Sequence, residues 1–147
     1  MTMMSIREII ETEEGWRDWP YYCSEGYPTV GYGFKIGDRG DPLPTFKLPR
    51  AAGDAWLQCL VSELRMQLGN QISGLNEARQ AIIISMAFQM GVTGIMGFKN
   101  MWAAIERKDW AGATDQMLDS RWARQTPARA HRHAIVMQTG STEGVYP

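Results

Sequence analysis

The chain has 147 residues, 44% of them hydrophobic and 21% charged, which excludes a disordered polymer and fits about one folded domain. Fifteen basic residues against sixteen acidic ones leave a net charge of −1, so overall charge gives no ground for nucleic-acid binding. Two cysteines are too few for a disulfide framework and suit free thiols in a reducing compartment.

Ser5 to Glu14 is expected to form a short helix, with Ser5 as N-cap and Glu8 as its capping-box partner. Ile6, Ile9 and Ile10 make one apolar face, and Gly15 stops the helix. Glu14 then sits at the negative end of the helix dipole, which disfavours a charged carboxylate. Tyr21 to Cys23 and Pro28 to Phe34 read as two strands joined by a turn at Ser24-Glu25-Gly26. Alternation places Thr29, Gly31 and Gly33 on one face of this hairpin and Val30, Tyr32 and Phe34 on the other. Glycines within a strand mark close approach of a ligand or another segment, and a groove floor is one use of that face.

Ile36 to Pro49, rich in glycine, proline and charge, reads as a loop or a short third strand, with Arg39-Gly40-Asp41 as a turn. Arg50 to Leu68 has helical periodicity and would be roughly 28 Å long, enough to connect two lobes. Cys59 within it reads as a small buried apolar residue. Asn76 to Met90 is apolar nearly all round and is expected at the centre of a helical lobe, closed by Gly91 and Gly94. Shorter helices are expected over Phe98 to Glu106 and Asp109 to Leu118. A last one runs from Thr126, as N-cap, and Pro127 to Thr139, with Gly140 beyond it. Ser141 to Pro147 is expected to be loose. Arg121, Arg124, Arg129 and Arg132 read as a solvated face or as a draw for an anionic polymer.

Few of the chemical motifs open to such a chain are present. His131 and His133 are two apart and project from different helix faces, and no Cys, His and acid cluster has ligand spacing, so no metal or other cofactor is expected. A Cys23–histidine nucleophilic pair has no support from spacing, and GYPTVGYG lacks the residues of a phosphate loop. Glu14, Cys23 and Thr29 remain. Glycoside cleavage needs an acid for the leaving oxygen and a second group to activate water or attack the anomeric carbon. Trp16 and Trp19 offer burial and sugar-stacking surface beside Glu14.

EGWRDWPYYCSEGYPTVGYG, Glu14 to Gly33, resembles the active-site motif of the phage-type (T4-like) lysozymes, or endolysins. In that pattern an Asp or Cys follows the Glu by nine positions (23 − 14 = 9) and a Thr follows by six more (29 − 23 = 6). MAFQMGVTGIMGFKNMW (Met86 to Trp102) and SRWARQTPARAHR (Ser120 to Arg132) match in family order, so the resemblance spans nearly the whole chain.

The resemblance implies a mostly helical α+β, lysozyme-like fold in a single domain. An N-terminal lobe with the hairpin covers about residues 1–48, a connecting helix about 50–68 and a C-terminal helical lobe about 70–147, with the substrate cleft between the lobes. It implies hydrolysis of the β-1,4 bond between N-acetylmuramic acid and N-acetylglucosamine in peptidoglycan. Glu14 falls on the general acid, Cys23 on the second catalytic position and Thr29 beside the attacking water. Phe88, Gln89, Gln116 and Arg129 fall on substrate-binding positions. Cys23 stands where many members have aspartate, and its role as base, nucleophile or positioner of water is open. Phe34 replaces a histidine that often follows the family's glycines, and the stretch after it is shorter than in the best-known member.

A non-catalytic peptidoglycan-binding module and a lytic transglycosylase are the alternative readings. No segment reads as a signal peptide and no apolar run approaches the eighteen or so residues of a bilayer span, so stable membrane insertion is not expected. By family analogy a monomer accumulates in the infected host's cytoplasm and reaches the periplasm and wall with the help of a holin, or is carried on a virion.

Overall fold

A computed structural model of the chain describes residues 6–147, which form seven α-helices and a three-stranded antiparallel sheet. Arg7–Ser62 cluster as one unit and Glu63–Pro147, with Ile6, as another, so the divisions fall after Ile6 and after Ser62, each within a helix.

All of α1 (Ile6–Glu14) but its first residue belongs to the Arg7–Ser62 unit, and its Ile9 and Ile10 are fully buried. Burying each contributes about 1.5–3 kcal/mol, which is what commits so short a segment to helix. The expected Ser5 cap lies outside the described residues. Strands β1 (Arg17–Tyr22), β2 (Pro28–Gly31) and β3 (Phe34–Lys35) follow in spatial order β1-β2-β3. β1 starts earlier than expected and its register shifts between Arg17 and Tyr21. Pro20 lies in that interval and has no N–H for the ladder.

The single strand expected from Pro28 to Phe34 is two strands. Gly31 (φ +68) and Gly33 (φ +73) adopt left-handed conformations and fold the chain into a second tight hairpin, pairing Val30 with Phe34. The expected alternation therefore ends at Gly31. Residues 36–49 form a loop that backbone hydrogen bonds tie to the hairpin, Gly40 N–H to the Gly26 carbonyl (3.0 Å) and Leu48 N–H to the Asp18 carbonyl (2.8 Å). Fully buried Tyr32 joins this unit's elements. Its hydroxyl accepts from Arg50 Nε (2.9 Å) and lies at 2.5 Å from Asp54 Oδ1, and its ring meets Trp16 edge-on.

Helix α2 (Arg50–Leu68) has the expected bounds. Gly53, Leu57, Val61 and Leu68 are buried, whereas Cys59 is exposed, which corrects the expectation for it. Two residues beyond Leu57 is about 200° around a helix, so Cys59 lies on the face opposite the buried stripe.

In the second unit, α3 (Glu77–Met96) starts at Asn76, whose side chain accepts from the Arg79 N–H (3.0 Å). Its residues Ala78 and Ala81–Ala87 are buried. Gly91, at φ 82 and ψ 162, breaks the helix where a stop was expected, and a short helical stretch then continues through Gly94 to Met96. Next come α4 (Lys99–Glu106), α5 (Trp110–Leu118, capped by Asp109), α6 (Arg121–Gln125, capped by Ser120) and α7 (Pro127–Thr139, ended by Gly140 at φ +73). α5 packs on α4 and α7, and α7 also on α3 and α6.

Helix α6 was not anticipated. Thr126 stands at the N-cap of α7 but does not cap it; its hydroxyl donates back to the Trp122 carbonyl (3.0 Å). The tail is not loose, since Thr142 and Tyr146 are buried. Among the described residues no single helix is long and apolar enough to cross a membrane; only α3 and α4 together, bent by 96°, reach that composition, and the buried residues of α3 are core.

Candidate active site

Glu14 is the last residue of α1 and is half-buried. Gly15, at φ +73, ends the helix with its N–H on the Glu11 carbonyl (2.8 Å), so the Glu14 side chain leaves at the point where the chain turns into β1. Gly33 lies against it: a β-carbon there would stand 2.8 Å from Glu14 Oε2 and 3.1 Å from its Cδ. The carboxyl occupies the space a side chain at position 33 would need. α1 is held in this register by Arg7 and Arg50, both paired with Glu11 and both bonded to the Tyr32 hydroxyl.

Cys23 follows β1 at the start of the Ser24–Gly26 turn. The turn closes through Cys23 N–H on the Tyr27 carbonyl (3.0 Å) and Gly26 N–H on the Cys23 carbonyl (2.9 Å). Desolvation pushes the thiol up, but the Tyr27 and Glu25 backbone amides, the Thr29 hydroxyl and the charge of Lys35 together outweigh it, and the thiol lies below its ordinary value. Thr29 is buried in β2, opposite Tyr21, and its hydroxyl donates to the Tyr27 carbonyl (2.8 Å). That hydroxyl has one proton, so it serves either the carbonyl or the sulfur, and ionisation of the sulfur favours the second.

Tyr21 completes this group. Its phenol is raised by desolvation and, after a lowering by Arg17, by the nearby charges of Glu14 and Cys23. Tyr21 thus keeps its phenolic proton, with Glu14 and Cys23 near enough for their charges to act on it. The sequence did not single out Tyr21 for the site, and it placed Gly33 only on a small-residue strand face that could floor a groove. The only signals for them were Tyr21's place two residues before Cys23 and a glycine periodicity that was read as a strand face.

The two tryptophans differ. Trp16 is taken up structurally, donating to Asp18 Oδ1 (2.6 Å) with Arg50 over its ring, while Trp19 is 54% exposed and remains free to stack on a ligand. Phe88, Gln89, Gln116 and Arg129 lie in the helical unit. Phe88 and Gln89 sit just before the break in α3, and Gln89 Oε1 accepts from Trp122 Nε1 (2.7 Å). Gln116 borders a cavity of about 270 Å³ with Phe98, Asn100 and Ser120. Arg129 is not part of a solvated face: it is buried, and its Nη2 donates to the Ser85 carbonyl (3.2 Å) and hydroxyl (3.0 Å). Arg121 and Arg124 are exposed as expected.

Residues 11–134 match the family model for phage lysozyme. The chain is similar to two proteins of Dictyostelium discoideum named as probable T4-type lysozymes. It is 28% identical to the first and 36% identical to the second, in each case over 93% of this chain and 95% of the relative. It is also 29% identical, over 95% of its length, to the pre-baseplate central spike protein of Enterobacteria phage T4, of which it spans 28%.

Proposed function

The chain belongs to the phage lysozyme family and is a lysozyme-type glycoside hydrolase, and from that premise we propose that it hydrolyses the β-1,4 bond between N-acetylmuramic acid and N-acetylglucosamine in bacterial peptidoglycan. Glu14, in its acid form, gives its proton to the glycosidic oxygen as the bond from that oxygen to the anomeric carbon breaks. A water adds its oxygen to the anomeric carbon and gives one proton to the Cys23 thiolate. Thr29 fixes the sulfur and water through its single hydroxyl. Proton exchange with solvent then returns Glu14 to the acid and Cys23 to the thiolate. On the resemblance, Phe88, Gln89 and Gln116 are the glycan contacts of the helical unit; Arg129 falls on a substrate-binding position too but is buried against Ser85.

One observation carries this reading: the acid at the end of α1 lies against Gly33 of the same small sheet whose first turn lowers the Cys23 thiol beside the Thr29 hydroxyl. Glu14→Gln tests it. The variant should keep its circular dichroism spectrum and lose lysis of permeabilised Gram-negative cells by about 10²-fold or more, the usual worth of a general acid. Lysis at the parent's rate removes Glu14 from the role.

The wider reading is host lysis at the end of a phage cycle by a monomer that collects in the host cytoplasm and reaches the wall with a holin. Its support is family membership. Expression in a host with and without a holin tests it: lysis should require the holin, and equal lysis without one refutes this route.

A further inference from the structure

A cavity of about 630 Å³ opens in the helical unit, lined by Trp102 and Trp110 and by Asn70, Gln71, Lys99 and Lys108 among others. None of these six is assigned above to cleavage or glycan contact. Both indoles are fixed by polar anchors. Trp102 Nε1 donates to the Ile95 carbonyl (2.9 Å). The Arg79 guanidinium lies 3.7 Å from the centre of the Trp110 ring, and Arg79 is itself tied to the Met137 (2.8 Å) and Gln138 (3.2 Å) carbonyls. The rings are therefore set before any ligand arrives, and little order remains to be imposed on binding.

The lining also selects a chemistry. A cavity of this volume is in the range that takes small molecules. Indole rings suit a ligand with an apolar C–H face, as a pyranose has. The amides of Asn70 and Gln71 match hydroxyl and acetamido groups, and a purely apolar ligand would leave them unpaired. Lys99 and Lys108 outweigh the one acid of the lining, Glu106, and complement the carboxylates that murein peptide stems carry.

We propose that this cavity is a second glycan site, holding an N-acetylhexosamine unit of a murein strand and serving to keep the enzyme on an insoluble polymer between cuts. The proposal rests on the peptidoglycan reading above. Linked attachment of this kind raises the effective concentration of the strand at the cutting residues without adding a contact there.

The test uses ¹⁵N-labelled Glu14→Gln protein titrated with soluble, uncross-linked murein glycan fragments and, separately, with the N-acetylglucosamine tetramer. The expected result is a saturable shift of the Trp102 and Trp110 indole N–H signals and of the Asn70 and Gln71 side-chain amides. In the otherwise unaltered enzyme, Asn70→Ala with Gln71→Ala, both at exposed positions, should raise KM on intact sacculi about fivefold without lowering kcat. Trp110→Ala should raise it further and Trp110→Phe recover most of the loss. No shift at the four reporters, or parent-like sacculus kinetics in the double variant, overturns the proposal. If the parent leaves murein uncut while the reporters still shift, the cleavage reading fails and the glycan site stands.

Discussion

The Cα of Gly33 faces the Glu14 carboxyl so closely that a β-carbon there would stand 2.8 Å from Oε2. Gly33→Ala therefore changes two things. It places a side chain at φ +73, at a cost of about 1–2 kcal/mol, and it pushes the carboxyl from its place. Misplacement of a reacting group by about 1 Å costs on the order of a hundredfold in rate. Gly40→Ala separates the two effects, because Gly40 has φ +83 and open space around its Cα. Both variants should lose similar stability in urea titrations, and only Gly33→Ala should lose murein lysis far below its unfolding temperature. Equal lysis by the two would make Gly33 a turn residue and no more.

The same residue marks where sequence reasoning stopped short. Gly31, Tyr32 and Gly33 keep a perfect small–large alternation, and alternation alone cannot distinguish a strand that continues from one that turns. The deciding facts are tertiary: Tyr32 is drawn to Arg50 and Asp54, and the Glu14 carboxyl occupies the space beside Gly33. By contrast Glu14, Cys23 and Thr29 stand out in the sequence because their spacing resembles a known motif, and all three lie in the Arg7–Ser62 unit. Tyr21 was hidden by its chemistry, since an aromatic in a strand reads as packing until neighbouring charges are known.

The lowered Cys23 thiol gives a pH dependence with a definite sign. If its thiolate takes the proton of the attacking water, murein lysis rises with pH through a thiol value below the ordinary one. Cys23→Asp should move that limb to more acidic pH and stay active, and Cys23→Ala should abolish the limb and most activity. Linkage adds an equilibrium consequence. A group lowered by folding stabilises the protein fully above its unfolded value, near 8.5, and loses that contribution as pH falls through the folded value. Denaturant titrations from pH 5 to 9 should therefore show the parent gaining on Cys23→Ser as pH rises. Exposed Cys59 is replaced by serine in both proteins so that its titration and oxidation do not intrude. A flat difference across the range would mean the turn does not lower the thiol.

In the helical unit, the elements with strong local punctuation were read closely: Asn76 before α3, Asp109 before α5, and Pro127 and Gly140 around α7. Those that depend on distant partners were not. Helix α6 has five residues, too few for a periodicity, and rests on Ser120 and on the burial of Trp122 and Ala123. Seven terminal residues with glycine and proline carry no local sign that two of their side chains are buried.

Tyr146 is the reason for that tail. Its hydroxyl lies 2.7 Å from His133 Nδ1, the other ring nitrogen lies 2.8 Å from Ser85 Oγ, and Arg129 Nη2 donates to that same oxygen at 3.0 Å. His133 and Ser85 are fully buried, so these direct contacts make one network from the C-terminal tail to Arg129. A neutral imidazole donates from one nitrogen and accepts at the other, which satisfies both neighbours in either tautomer. Tyr146→Phe keeps the ring and deletes the hydroxyl, leaving a buried ring nitrogen without that partner, at a cost of about 1–3 kcal/mol. Ending the chain before Thr142 removes the buried Thr142 and Tyr146 as well and should cost more. Urea titrations give both values, and amide exchange should quicken first at Thr142 to Tyr146 and along α7. A Tyr146→Phe protein as stable as the parent would show that the tail is held by packing alone and that the hydroxyl adds nothing to it.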